Sequence, residues 1–143
     1  MMNSIFSFIK FTKEVQTDFK DQYLPTLDTA IRLTDQGLIE YRFYQKEMSS
    51  KFCVRKDAAL GEQLKRSVMS AEVIRRLMNT RESPEQEMKR LEILEEFSDK
   101  MRRSGYDEDD VKDAITAGVT GYERKLMRSN SRLCLAVFSL KTS

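Results

Sequence analysis

Leu24-Pro25-Thr26-Leu27-Asp28-Thr29-Ala30-Ile31-Arg32-Leu33-Thr34-Asp35-Gln36-Gly37-Leu38-Ile39-Glu40-Tyr41-Arg42-Phe43-Tyr44-Gln45-Lys46 is the stretch that decides the fold class. Pro25 lacks an N–H and pre-sets φ, which suits the first residue of a strand or an edge. After it, Leu27, Thr29, Ile31 and Leu33 alternate with Asp28, Ala30, Arg32 and Thr34, the period-2 signal of a strand. Asp35-Gln36-Gly37 reads as a short turn, with Gly37 free to take positive φ. A return strand follows, with Ile39, Tyr41 and Phe43 on one face and Glu40, Arg42 and Tyr44 on the other. The reading is a hairpin whose first strand runs through Leu27 and Asp28.

Upstream, Ser4 to Val15 covers a short helical turn and then a strand from Phe8 to Val15, so the sheet region spans about residues 8–46. Met1 to Lys10 is apolar but has no basic leading segment and no small-residue cleavage site, so no signal peptide is expected. No stretch approaches the ~18 apolar residues of a membrane span, and no membrane partner is expected.

Downstream the period changes to 3.6 near Asp57. Leu60, Leu64, Ser67 and Val68, Ala71, Ile74 and Met78 give an amphipathic helix over about 58–79, with Asp57 as N-cap. Lys65, Arg66, Arg75 and Arg76 fall off that apolar stripe. A second helix starts with Ser83 as N-cap and Pro84 at the first position. Its stripe is Met88, Leu91, Leu94, Phe97 and Met101, Arg102 and Arg103 complement its dipole, and Gly105 stops it. A third helix runs over about 107–127, with Val111, Ile115, Val119, Tyr122 and Leu126 as its stripe. Gly118 and Gly121 inside it either admit a close neighbour or soften its end. Three such stripes shield one another most economically as an antiparallel three-helix bundle over about 58–127. Arg132 to Leu140 is a short apolar run that periodicity leaves open as strand, helix extension or unstructured tail. The expected fold class is therefore α+β: residues 1–56 a β region, 57–127 helical, 128–143 a tail.

Composition narrows the chemistry. The 143 residues contain no His, which removes the commonest general base and zinc ligand. Cys53 and Cys134 can make neither a disulfide framework nor a zinc spacing, and the absence of such a framework is compatible with an intracellular, reducing compartment. The net charge of +2 hides a pattern. Residues 41–81 carry ten Lys or Arg against four acids, residues 82–113 six against twelve, and residues 114–143 five against one. A basic block followed by an acidic one points to a phosphate-facing surface backed by a neutralising one.

Residues 8–80 carry a series of short motifs: Phe11-Thr12-x-Glu14, then Leu24-Pro25-x-Leu27-Asp28, a Gly-containing turn, Tyr44-x-Lys46, and a basic helix with Arg75-Arg76-Leu77. In this order and spacing, across about half the chain, they resemble the reverse transcriptases of Penelope-like and related retroelements. Thr26, Gln45 and Glu47 depart from that family's pattern. The resemblance implies that Leu24 to Lys46, with Leu24, Pro25, Leu27, Asp28 and Tyr44 as its marked positions, is the primer-grip hairpin at the end of the palm. It implies that residues 57–127 are the thumb. The partners it implies are a template–primer duplex held by its backbone, and the missing palm and fingers.

The family's catalytic Tyr-x-Asp-Asp turn is absent. Tyr106-Asp107-Glu108-Asp109-Asp110 mimics it but precedes an amphipathic helix, where acids cap and complement the dipole. Polymerase chemistry needs carboxylates clustered around two metal ions, so no cofactor is expected for this chain, Mg²⁺ belonging only to an intact parent polymerase. The chain alone is expected to be inactive. Lys46, Lys51, Arg55, Lys56, Lys65, Arg66, Arg75 and Arg76 are the expected phosphate contacts. The alternative is a non-enzymatic module that binds a protein partner through its helical apolar faces.

Overall fold

The computed structural model describes residues 12–142, with side chains to Asn130. Three short strands, β1 (Leu24–Thr26), β2 (Thr29–Leu33) and β3 (Ile39–Phe43), form an antiparallel sheet in the order β1-β2-β3. Three helices follow: α1 (Glu62–Met78), α2 (Glu87–Arg103) and α3 (Glu108–Thr142). The α+β class, a small antiparallel sheet followed by three helices, is as the sequence predicts.

The sheet differs from the predicted hairpin at its start. Leu27 and Asp28 do not continue a strand; they are the two-residue turn between β1 and β2, which pair Thr26 with Thr29 and Leu24 with Ile31. Leu27 takes φ 56°, a left-handed conformation rare for a branched non-glycine residue. Alternation alone could not see this turn, because Leu-Asp is not turn chemistry. The second turn is as read: Gly37 takes φ 76°, and Leu33 pairs with Ile39 across it. The predicted strand from Phe8 to Val15 falls partly outside the described residues. Thr12 to Val15 has no regular structure, and Gln16–Asp18 is a 3-10 turn.

The two faces of the sheet are inverted relative to the usual arrangement. Ala30, Arg32, Glu40 and Arg42 point inward. Tyr23 packs beneath them, its ring lying 3.9 Å from the Arg42 guanidinium. Its hydroxyl donates to Glu40 Oε2 and accepts from Gln86 Nε2. Burial, first of all, pushes the Tyr23 phenol up from its usual pKa. Ile31, Leu33 and Ile39 share the opposite, outward face and are exposed. Only Phe43 at the end of that face is buried, under Arg75 and Arg76.

The bundle core is Met69, Val73, Leu77, Phe97, Met101, Tyr106, Val111, Ala114 and Tyr122. On α1 the buried stripe is Lys65, Met69, Val73, Arg76 and Leu77, turned away from the predicted one; Leu60, Leu64 and Met78 are exposed. Two cations inside the true stripe disguised it. On α2, Phe97 and Met101 are buried as predicted, but Met88 and Leu91 are exposed while Ile93 and Lys100 face inward. The α3 stripe is close to the prediction, with Val111 and Tyr122 buried and Ile115, Val119 and Leu126 packed at its margin.

Gly118 and Gly121 are there for close approach. A Cβ on Gly118 would lie 2.4 Å from Val73 Cβ and Cγ1, so α1 and α3 meet nearly backbone to backbone. Gly105 takes φ 93° and ends α2 as predicted. Its N–H bonds Arg102 O while that of Tyr106 bonds Met101 O, a Schellman closure with Tyr106 and Met101 both in the core.

Other ends differ. α1 starts at Glu62 behind Gly61; Asp57 instead pairs with Arg55 on the surface. Ser83 makes no capping bond, and Pro84 opens a 3-10 turn before α2. Asp107 caps α3, accepting from Asp110 N–H at 2.9 Å, as the acidic run predicts. Beyond Met127 the chain continues as helix to Thr142, the second of the three readings left open.

The sheet joins the bundle at the end of α1. Arg81 N–H donates to Tyr41 O, closing the outer edge of β3. Phe43 N–H donates to Thr80 Oγ1 at 3.0 Å, and that hydroxyl donates to Arg76 O at 3.1 Å.

Candidate nucleic-acid interface

The eight basic residues marked in the sequence separate into three groups. Lys65 and Arg76 are interior: their side chains are 4% and 1% exposed. Lys65 Nζ donates to Lys56 O and pairs with Glu62. Arg76 bonds Glu72 Oε1 through Nε, Ile93 O through Nη1 and Gln45 Oε1 through Nη2, and lies over Phe43 and Phe97. These two are structural members of the core, not free phosphate donors. This corrects the expectation that they lie off the apolar stripe.

Lys56, Arg75 and Arg55 are at the surface but paired. Lys56 holds Asp107 and Asp110, whose hydrogen bonds raise its pKa above the usual lysine value. The tempting acidic run is thus tied to a lysine. Arg75 bridges Glu72 and Asp28, which anchors the Leu27–Asp28 turn to α1. Burial alone would raise the Glu72 carboxyl, but hydrogen bonds and charge from Arg75 and Arg76 outweigh it and hold the pKa low.

Lys46, Lys51 and Arg66 are exposed, and no ion-pair partner stands beside them among the described residues. Arg66 lies on α1, away from the other two. Lys46 and Lys51 line a cleft of about 380 Å³ between the segment after β3 and α2. The α2 wall supplies Lys89, Lys100 and Arg103, and β3 supplies Arg42. Six cations and three acids, Glu47, Glu96 and Asp99, line this space. Arg42 is spent on Asp21 and Lys89 on Glu92, and Asp99 is taken by Arg102. Lys100 is buried and donates to Gln45 Oε1, which leaves Lys46, Lys51 and Arg103 as the open cations of the cleft.

Sequence reasoning assigned Arg103 only to the dipole of α2 and did not single out Lys100. Their role needs the fold, because Gln45 in the loop 44–51 and Lys100 near the end of α2 are 55 residues apart in sequence. The i, i+3 spacing of Lys100 and Arg103, which puts both on the cleft side of α2, is the available signal.

Leu24 and Pro25 are half-buried in β1, Tyr44 is half-buried after β3, and Leu27 is 93% exposed at its turn. The segment bearing Leu27 and Asp28 faces Tyr44, Gln45 and Lys46 across a second, more apolar depression lined also by Phe19 and Met48. Among the described residues no three carboxylates or thiols are placed to hold a metal ion, and no helix is long and apolar enough to cross a membrane. No protein-family model matches the chain, and neither curated proteins nor solved structures show a significant match to it.

Proposed function

We propose that this chain is the palm-end and thumb portion of a reverse transcriptase-like polymerase, and that its task is to hold a template–primer duplex by its phosphate backbone. The observation that carries the proposal is the cleft between residues 44–51 and α2, where Lys46, Lys51 and Arg103 stand without acidic partners. Cations so placed bind phosphates without reading sequence. Two further features support it. A sheet leading into a helical bundle is the layout that the resemblance implies for this part of the parent enzyme. The outward sheet face, with Leu33 and Ile39 56% and 60% exposed, suits strands that continue against the rest of a palm. On this reading the isolated chain binds but does not polymerise, since the carboxylates of the catalytic turn lie in another part of the parent.

Binding to a fluorescent duplex, followed against salt, tests the proposal. The expected affinity is weak and falls with salt, with a log–log slope of about −0.9 per neutralised phosphate. Replacing Lys46, Lys51 and Arg103 together with Gln should flatten that slope by about 2 to 3 while the circular dichroism spectrum stays unchanged. Arg66→Gln, outside the cleft, should leave it alone. The buried Lys65 and Arg76 are unsuitable probes, because their loss damages the core.

A second reading, a protein-interaction module, rests on the exposed Ile31, Leu33 and Ile39 of the sheet and on Leu64, Val68 and Met78 of α1 and Met88 and Leu91 of α2, which the bundle core leaves uncovered. A folded chain that binds no duplex even at low salt would favour it.

A further inference from the structure

At the floor of the cleft, two buried cations converge on one neutral oxygen. Gln45 Oε1 accepts from Lys100 Nζ at 2.8 Å and from Arg76 Nη2 at 3.3 Å. The Lys100 side chain is 9% exposed. An ammonium has three donors, and Gln45 fills one of them. The nearest carboxylate, Glu96, stands 4.0 Å away, outside hydrogen-bonding distance, and is itself mostly solvated. Glu72 cannot serve Lys100, because Arg75 and Arg76 already occupy it. Burying a charge without a hydrogen-bonded counter-charge is costly. Burial, then the neighbouring Arg76, accordingly pushes the Lys100 ammonium down from its usual pKa.

Lys100 lines the open cleft as well as a smaller hollow of about 270 Å³ behind it. Lys100, with donors to spare, therefore borders a space that a ligand can enter. Lys46, Lys51 and Arg103 rim the same space. We infer that the cleft floor is a seat for a single phosphate group, with Lys100 Nζ as the anchoring donor and Lys46, Lys51 and Arg103 at its rim, where they meet that phosphate or its neighbours along a strand. This rests on the backbone-binding reading and sharpens it: one phosphate of the strand would be gripped at a fixed point by Lys100, while its neighbours meet the rim cations. A free phosphate and a backbone phosphodiester present the same oxygens, so both are to be tried.

The test uses the full chain. Inorganic phosphate, and separately an oligonucleotide duplex without terminal phosphates, is titrated while the Lys100 side-chain resonances are followed by NMR. The expected result is one phosphate per chain and a rise in the Lys100 pKa on saturation. Lys100→Met should weaken phosphate by about tenfold or more, the worth of one charge-assisted hydrogen bond. Gln45→Glu is the independent variant. It supplies a built-in carboxylate to Lys100 and Arg76, so it should raise the melting temperature and abolish phosphate binding. Phosphate that leaves the Lys100 pKa unmoved, or binds Gln45→Glu as well as wild type, overturns the seat. If the duplex binds with the expected salt slope yet ignores both variants, the seat falls and the backbone reading stands. If phosphate seats as described but no duplex binds, the seat stands and the backbone reading falls.

Discussion

The bundle and the sheet use their apolar residues in opposite ways. In the bundle, Val73, Phe97 and Met101 are almost wholly buried and even the cations Lys65 and Arg76 are drawn inside. In the sheet, the charged face carrying Arg32, Glu40 and Arg42 is the packed one, while Ile31, Leu33 and Ile39 face outward. An antiparallel sheet with one covered face normally covers its apolar side. The difference teaches that the helices build an apolar core of their own, even while Leu64, Met78, Met88 and Leu91 stay outside it, whereas the sheet is held by polar ties. These are Tyr23 with Glu40, Arg42 with Asp21, and Arg75 with Asp28. Its apolar side is left for something else to cover.

The contrast can be broken first at its strongest point. Phe97→Ala should cost about 3–5 kcal/mol, read as a drop in the urea midpoint. Because α1 carries the sheet, strands and helices should be lost in one transition. Two separate transitions would mean that the sheet stands without the bundle.

Gly118→Ala comes next. Helix propensity favours the change by about 1 kcal/mol, but the added methyl would meet the Val73 branch point at 2.4 Å. Overpacking of this kind costs about 1–3 kcal/mol, so the net change should be destabilising. At Gly121 the clash is with Ile74 Cδ1, the far end of a flexible side chain, so Gly121→Ala should be neutral or mildly stabilising. Equal effects at the two sites would refute the close approach of α1 and α3.

Smallest of all should be Ile31→Thr, Leu33→Thr and Ile39→Thr, each within about 0.5 kcal/mol, with improved solubility. A loss above about 2 kcal/mol for any of them, the cost of uncovering a truly buried side chain, would show that the face is covered in solution and would dissolve the contrast.

Sequence alone makes the α+β order, the Gly37 turn, the Gly105 stop and the acidic cap of α3 legible. Each rests on a local rule, and each local rule is met in the fold. The turn at Leu27 was illegible because its residues are not turn formers. It is held from outside, by Asp28 on Arg75 and by Tyr44 N–H on Asp28 O. The α1 stripe is illegible because Lys65 and Arg76 sit where apolar residues are expected, made tolerable by Glu62 and Lys56 O for Lys65 and by Glu72, Gln45 and Ile93 O for Arg76. Half of the cleft was visible, since Lys46 and Lys51 belong to a basic run. Arg103 and Lys100 were not, because their meeting with that run is a tertiary fact.

Thr80 joins the two regions by a single hydroxyl, which takes the amide proton of Phe43 and gives its own to Arg76 O. In a sheet of three short strands, amides ordinarily trade their hydrogens with water on the rapid schedule of fraying ends. Phe43 is removed from that schedule. Its proton can leave only when the last turn of α1 lets go, so the clock of this strand is kept by the helix.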